Sequence, residues 1–302
     1  MKKWLGYAVM LLCDNVSFGQ PGIEDYQKAQ EAAQANNLAG AIEPCEAALQ
    51  ASPDYLNCYL WLGYAYGQQK QPAKQADNLA EFVKKTEGNA EAAALRTQTM
   101  KAAGIAMAQS RRPKEAINLL DQFVAKEPND LQAQFVLARS LLQDKKQARS
   151  EVAFSKVIEI NPDLPQPYFF AGRINYITGD HNKAISRLSK YIALDGSGNF
   201  APQAHFMAGS SMFRTVDQAA DKAAQFASMK THMSAFLAAL PNTDPRAPEA
   251  HYVLGWLAAQ EEDDATAKTH FETYIQIAQP GPQLEEAKQF IASLESESSS
   301  DQ

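Results

Sequence analysis

The chain predicts an all-α array of stacked helix pairs, and three observations predict it. A 34-residue pattern runs twice without a gap from Leu131 to Gly198: Leu137-Ala138, Leu141, Ser150, Phe154 and Asn161-Pro162 recur as Ala171-Gly172, Asn175, Ala184, Leu188 and Asp195-Gly196. A period of this length belongs to helical repeats, whose units bury their apolar faces against their neighbours. Small residues also recur at two places. Gly63, Gly104, Ala138, Gly172, Gly209 and Gly255 share one, and Ala41, Ala116, Ser150, Ala184 and Ala267 share the other, as close helix crossings require. Apolar residues inside the units keep helical spacing, as in Tyr59, Leu62-Gly63 and Tyr66.

With 302 residues, 45% hydrophobic and 21% charged, the chain can bury a large core. Length alone would give about two domains, but a repeat array grows in one dimension, so one elongated domain over residues 20–295 is expected. A formal charge of -7 without clustered Lys and Arg argues against nucleic acid as a partner. Lys2 and Lys3, the apolar run Trp4 to Cys13 and Val16-Ser17-Phe18-Gly19 read as a signal peptide over residues 1–19, cleaved after Gly19. A periplasmic or secreted protein is then expected. Two rivals stay open: lipidation at Cys13, which the large Leu12 disfavours, and an uncleaved anchor. No other stretch approaches the roughly 20 apolar residues of a membrane span. Beyond the leader remain Cys45 and Cys58, on consecutive helices, either as a disulfide or as two buried thiols.

Gln20 to Ile23 is a short lead-in to the first unit. That unit, about Asp25 to Pro53, keeps Ala29, Ala41, Ala48-Leu49 and Ser52-Pro53 but lacks a large aromatic early in its first helix, as an atypical end unit does. The second, from Leu56, turns at Lys70-Gln71-Pro72. Asn89 is expected to cap a helix from Ala90 to Ser110, about twice the usual length and projecting by about 12 Å. The third unit then keeps Gly104, Pro113, Ala116-Ile117, Leu120 and Glu127-Pro128. The fourth and fifth are the regular pair. The sixth, Pro202 to Pro241, opens on His205, Ala208-Gly209 and Met212, and its second half from Asp217 to Leu240 is overlong and rich in Met and Ala. The seventh carries His251, Leu254-Gly255, Ala267, Phe271, Tyr274 and Pro280. Leu284, Ala287, Phe290, Ile291 and Leu294 share one helical face and predict a closing helix. Residues 296–302 read as a disordered, acidic and Ser-rich tail.

Tyr168, Ala171-Gly172, Gly179-Asp180, Ala184-Ile185 and Leu194-Asp195 stand where the tetratricopeptide repeat (TPR) family places its signals, and the chain resembles that family. The resemblance implies a right-handed α-solenoid of about seven helix-turn-helix units with a C-terminal capping helix. It also implies a concave face lined by the first helix of each unit. At the family's groove places stand Gln132, Phe135 and Arg139, then Gln166, Phe169, Arg173 and Tyr176, then Gln203 and Phe206, and finally Tyr252 and Trp256. Amides there could pair with a peptide backbone, aromatics could hold apolar anchors, and Arg could take a carboxylate. Aromatics at such places also serve packing between units, so both uses stay open. The Asn residues of the family's clamp for a terminal carboxylate are missing.

A search for chemistry finds little. His181, His205, His232, His251 and His270 form no His-Glu-x-x-His pattern, and His205 and His251 read as core residues. Gly196-Ser197-Gly198 lacks the Lys of a phosphate loop. Glu261-Glu262-Asp263-Asp264 reads as a solvated turn, since calcium loops alternate their ligands around a Gly. The expectation is a non-catalytic scaffold or adaptor, with no cofactor and no metal, that binds a peptide or protein segment. Two alternatives are a structural subunit of an envelope assembly, secretion or polysaccharide-export machine, and an enzyme-associated subunit.

Overall fold

The computed structural model describes residues 19–300, so the expected signal peptide lies, but for Gly19, outside the described residues. Fifteen α-helices and no strand are present among them, as the repeat period requires. The chain divides into two compact units, residues 1–160 and 161–302.

The first unit holds four hairpins: α1 (Ile23–Gln34) with α2 (Ile42–Ala51), α3 (Leu56–Gln68) with α4 (Pro72–Lys85), α5 (Ala93–Gln109) with α6 (Pro113–Lys126), and α7 (Leu131–Gln143) with α8 (Gln147–Ile160). Within the unit, successive helices pack on one another. In the first hairpin Tyr26 is buried, stacked on Tyr55 with ring centres 4.7 Å apart and next to Trp61. The first repeat therefore does carry a large aromatic early in its first helix, contrary to the sequence expectation. Its phenol accepts from Asn57 Nδ2 at 3.1 Å, which fixes α1 against α3.

The second unit holds α9 (Pro165–Thr178) with α10 (His181–Asp195), α11 (Ala201–Arg214) with α12 (Lys222–Ala239), and α13 (Ala247–Gln260) with α14 (Asp264–Ile277). Helix α15 (Pro282–Ser300) packs on α14 and closes the unit. It buries Leu284 and Ala287 against Phe271 and Tyr274, and it carries helix through residues 296–300, the stretch read from composition as tail.

Six of the seven hairpins turn in the same way. Asn36, Lys70, Arg111, Lys145, Gly179 and Glu262 all adopt positive φ, and the next N–H reaches back five residues to a carbonyl, as in Asp180 to Asn175 at 2.9 Å. This is the Schellman closure of a helix end. In the sixth hairpin the chain passes instead through a short 3₁₀ turn, Val216–Gln218, before Asp221 caps α12 by accepting from Ala224 N–H. Asp130, Asp180 and Asp263 cap α7, α10 and α14 likewise, so the acidic run at Glu261–Asp264 is a turn and a cap.

The long third-repeat helix is shorter than its composition implies. Helix α5 has 17 residues against 13 in α3 and α7, one extra turn. Asn89 Oδ1 accepts from the N–H groups of Glu91 and Ala92 at 2.9 and 3.1 Å. That competing local bond holds residues 90–92 in a turn.

Within five of the seven hairpins a glycine of the first helix lies under a large residue of the second. A Cβ on Gly172 would stand 2.8 Å from Leu188 Cγ, one on Gly104 2.7 Å from Leu120 Cγ, and one on Gly255 2.8 Å from Phe271 Cδ1. Gly172→Leu should therefore destabilise the protein by about 1–3 kcal/mol, seen as a lower thermal midpoint. Gly281→Leu, where a Cβ meets nothing within 4 Å, should stay within about 0.5 kcal/mol of the parent. Equal midpoints for the two variants would refute this seam.

Candidate functional site

In the first unit Gln132 and Arg139 lie exposed on α7, one helical face apart from the core residues Leu137 and Ala138. Arg139 forms no ion pair among the described residues. Phe135 is half-buried and meets Phe154 of α8 edge-on at 5.9 Å, so its ring contributes to its own hairpin. Cys45 and Cys58 are fully buried free thiols. A hydrogen bond to Cys58, followed by burial, pushes the Cys45 thiol far above its usual range.

In the second unit the groove aromatics divide. Phe169 has no exposed surface; its ring stacks on Phe200 at 4.3 Å and packs against Tyr191. Phe206 packs on Phe236 at 5.1 Å, beneath the guanidinium of Arg246. Tyr252 is buried too, and its hydroxyl donates to Glu286 Oε2 at 2.6 Å, with burial first and then Glu286 raising its pKa. The structure thus gives Phe169, Phe206 and Tyr252 to the core and not to a partner-facing wall. Gln166 is exposed and Gln203 half-buried. Trp256 is half-buried, edge-on to Phe213 and Phe226 at 5.2 and 5.4 Å.

Arg173 is the unusual member. Its guanidinium lies over Phe170 and Phe169, 5.6 and 5.9 Å from the ring centres. Its Nε is buried without a hydrogen-bond partner, and it makes no ion pair among the described residues. Burial alone lowers its pKa. Stacking on an aromatic pair suits a guanidinium, yet a buried donor without an acceptor costs about 1–3 kcal/mol. One turn further along α9, Tyr176 Oη meets Ser210 Oγ at 3.3 Å, and Ser210 donates to Glu249 Oε1 at 2.5 Å. Glu249 also faces Arg214 at 3.5 Å. These last two residues border a pocket of about 780 Å³ between the Asn242–Pro248 loop, Phe213, Tyr274 and Ile277. The sequence reading missed this pocket, because its walls come from a loop and helix ends that share no repeat position. The Asn242-Thr243-Asp244-Pro245 stretch was the available signal. Among the described residues no three of His, Cys, Asp or Glu converge as metal ligands, and no helix is long and apolar enough to cross a membrane.

Comparison with known proteins agrees with this architecture. Residues 101–165 match the tetratricopeptide repeat family model. A search of curated protein sequences finds no match. Among solved structures the chain is similar to YrrB, described as a TPR protein with an unusual peptide-binding site, at 19% identity over 61% of this chain and 92% of that one, with a TM-score of 0.50. It is also similar to MamA, at 18% identity over 59% and 93% with a TM-score of 0.46. A third is MamA from Desulfovibrio magneticus RS-1, at 15% identity over 61% and 99% with a TM-score of 0.44. At these identities the likeness is one of fold.

If Phe169 is core, Phe169→Ala should cost about 3–5 kcal/mol, while Gln166→Ala on the same helix should cost no more than about 0.5 kcal/mol. Denaturant midpoints of the two variants check this, and a Phe169→Ala midpoint equal to the parent's would return that ring to the surface.

Proposed function

We propose that this chain, whose residues 101–165 are tetratricopeptide repeats and whose fold is that of the family, is a non-catalytic binding protein for a peptide or protein segment. The inner face of the second unit is its site. The observation that carries the reading is Arg173: a half-buried guanidinium lying over two rings, with no carboxylate of its own among the described residues. A partner's Asp, Glu or terminal carboxylate would pair with this guanidinium through a charge-assisted bond. From there Tyr176, Ser210 and Glu249 lead toward the pocket beside Phe213 and Tyr274, which could take an apolar side chain of the same segment. An acidic segment with one aromatic or aliphatic anchor is the expected ligand class. The peptide-binding site named for YrrB is another protein's use of a similar fold and is in keeping with this one.

Labelled peptides of that class, compared with their Lys-substituted counterparts, test the reading by fluorescence anisotropy. Arg173→Glu should weaken the acidic peptide by about tenfold or more, since a hydrogen bond to a charged group is worth about 1.5–3 kcal/mol, with helicity unchanged by circular dichroism. Undiminished binding, or no preference for the acidic peptide, would reject the site. The same reading places the protein in the periplasm or outside the cell, on the leader-like residues 1–19. Amino-terminal sequencing of the native protein should then begin at Gln20, and a chain retaining Lys2 and Lys3 would refute export by cleavage.

A further inference from the structure

Two hairpins of the second unit each carry a histidine pair across their seam. His205 of α11 meets His232 of α12 with Nδ1 to Nδ1 at 2.9 Å, and His251 of α13 meets His270 of α14 at 3.0 Å. The pairs are equivalent by position. His205 and His251 stand four residues before the seam glycines Gly209 and Gly255, and His232 and His270 immediately precede Met233 and Phe271, which cover those glycines. None of the four has a role in the site described above.

A shared metal ion is the first use to weigh, and the ring geometry opposes it. Two ring nitrogens on one tetrahedral ion at about 2.0–2.1 Å stand about 3.3–3.4 Å apart, wider than the 2.9 and 3.0 Å found here. Here the centres are 5.1 and 5.2 Å apart, the separation of rings whose nitrogens face each other head-on. That is the geometry of an N–H···N hydrogen bond, in which one neutral imidazole donates and the other accepts. For the second pair the direction follows from Asn242, whose Oδ1 lies 3.2 Å from His251 Nε2. His251 must carry its proton on Nε2, which leaves Nδ1 as acceptor and His270 as donor.

We propose that the two histidine pairs are proton-operated latches, holding each hairpin closed through the first proton taken up and releasing it on the second. Proton balance fixes that order. A first proton can add to the outer nitrogen of the donor ring, and the bond between the rings survives, now charge-assisted. A second must take the acceptor's Nδ1 lone pair, so that two N–H groups and two positive charges face each other at the seam.

The surroundings offer no relief. Burial lowers the pKa of His205 and of His270. Burial and then the charge of the partner ring bring His232 and His251 down to about 4. Charged groups on the neighbouring elements are engaged elsewhere: Asp195 with Tyr191, Glu249 with Ser210, Arg246 with Asp244, Glu261 with Lys230, Glu286 with Tyr252 and Lys268 with Glu272. Unfolded imidazoles titrate near about 6.5, so the open chain binds more protons than the closed one between that pH and about 4. Stability from the pairs is therefore complete above about pH 6.5 and is lost as the pH falls toward 4.

Histidine ring resonances of the full chain, followed by NMR from pH 8 to 4, test this directly. Rings of the two pairs should titrate below the roughly 6.5 of an unperturbed imidazole, with a last step near about pH 4, and pair rings titrating at or above about 6.5 would overturn the latch. Thermal midpoints give the second readout. His232→Gln with His270→Gln should flatten the fall in midpoint between about pH 6.5 and 4, whereas His181→Gln, at a ring outside both pairs that meets Ser211 Oγ at 3.4 Å, should keep the parent slope. A double variant with the parent slope, or a flattened slope in the His181 control, would equally overturn it.

Discussion

Everything in this fold depends on how closely the two helices of a hairpin approach. Leu79, Leu120, Leu188 and Phe271 each sit 16 residues after the glycine they cover, at Gly63, Gly104, Gly172 and Gly255. The constancy has a mechanical cause. A Schellman end followed at once by a capped or Pro-initiated helix returns the chain at a fixed angle and register, so the same pair of positions meets in every unit. Where the first helix carries Ala138 in place of glycine, the second offers Ser150, whose hydroxyl donates to the Ala138 carbonyl at 2.8 Å. A small residue and a satisfied one replace a void and a clash.

That approach also decides which side chains remain for binding. Helices this close draw their ring-bearing neighbours inward, and Phe169, Phe206 and Tyr252 are buried. Gln132 and Arg139 on α7 and Gln166 on α9 stay exposed. Arg173 lies between the two groups, half-buried over Phe169 and Phe170 with no ion pair among the described residues.

Most of the architecture was legible in the sequence because a repeat states its rule several times. Small residues at Gly63, Gly104, Gly172, Gly209 and Gly255 marked the seams, and Pro72 marked a helix start that the structure reproduces. What stayed hidden was whatever the period does not encode. Lys70, Arg111, Lys145 and Glu262 occupy left-handed turns without any turn-like chemistry, because the closing hydrogen bonds impose the conformation. Tyr26 was overlooked because its partners, Tyr55 and Trp61, lie about a repeat away. Equivalence in register also did not say whether an aromatic faces solvent or the next helix, since both faces recur with one period. The length of α5 was overread for a local reason: good helix formers at 90–92 lost to the Asn89 side chain.

The sixth hairpin tests whether the seam rule is a consequence of geometry or merely of composition. Between Gly209 and the residue that covers it lie eight more positions than elsewhere, taken up by the Val216–Gln218 turn and the bend before Asp221. With the return path lengthened, no fixed register forces a branched side chain onto the glycine, and the covering residue is Met233. Its nearest atom would stand 3.0 Å from a Cβ there, against 2.7 and 2.8 Å under Leu120 and Leu188. An unbranched thioether tolerates an approach that is less closely specified, and the neighbouring Met229 is buried as well. Methionine thus appears where the turn ceases to dictate the crossing. The seam itself persists, so contact between backbone and side chain, and not the spacing in sequence, is what each hairpin preserves.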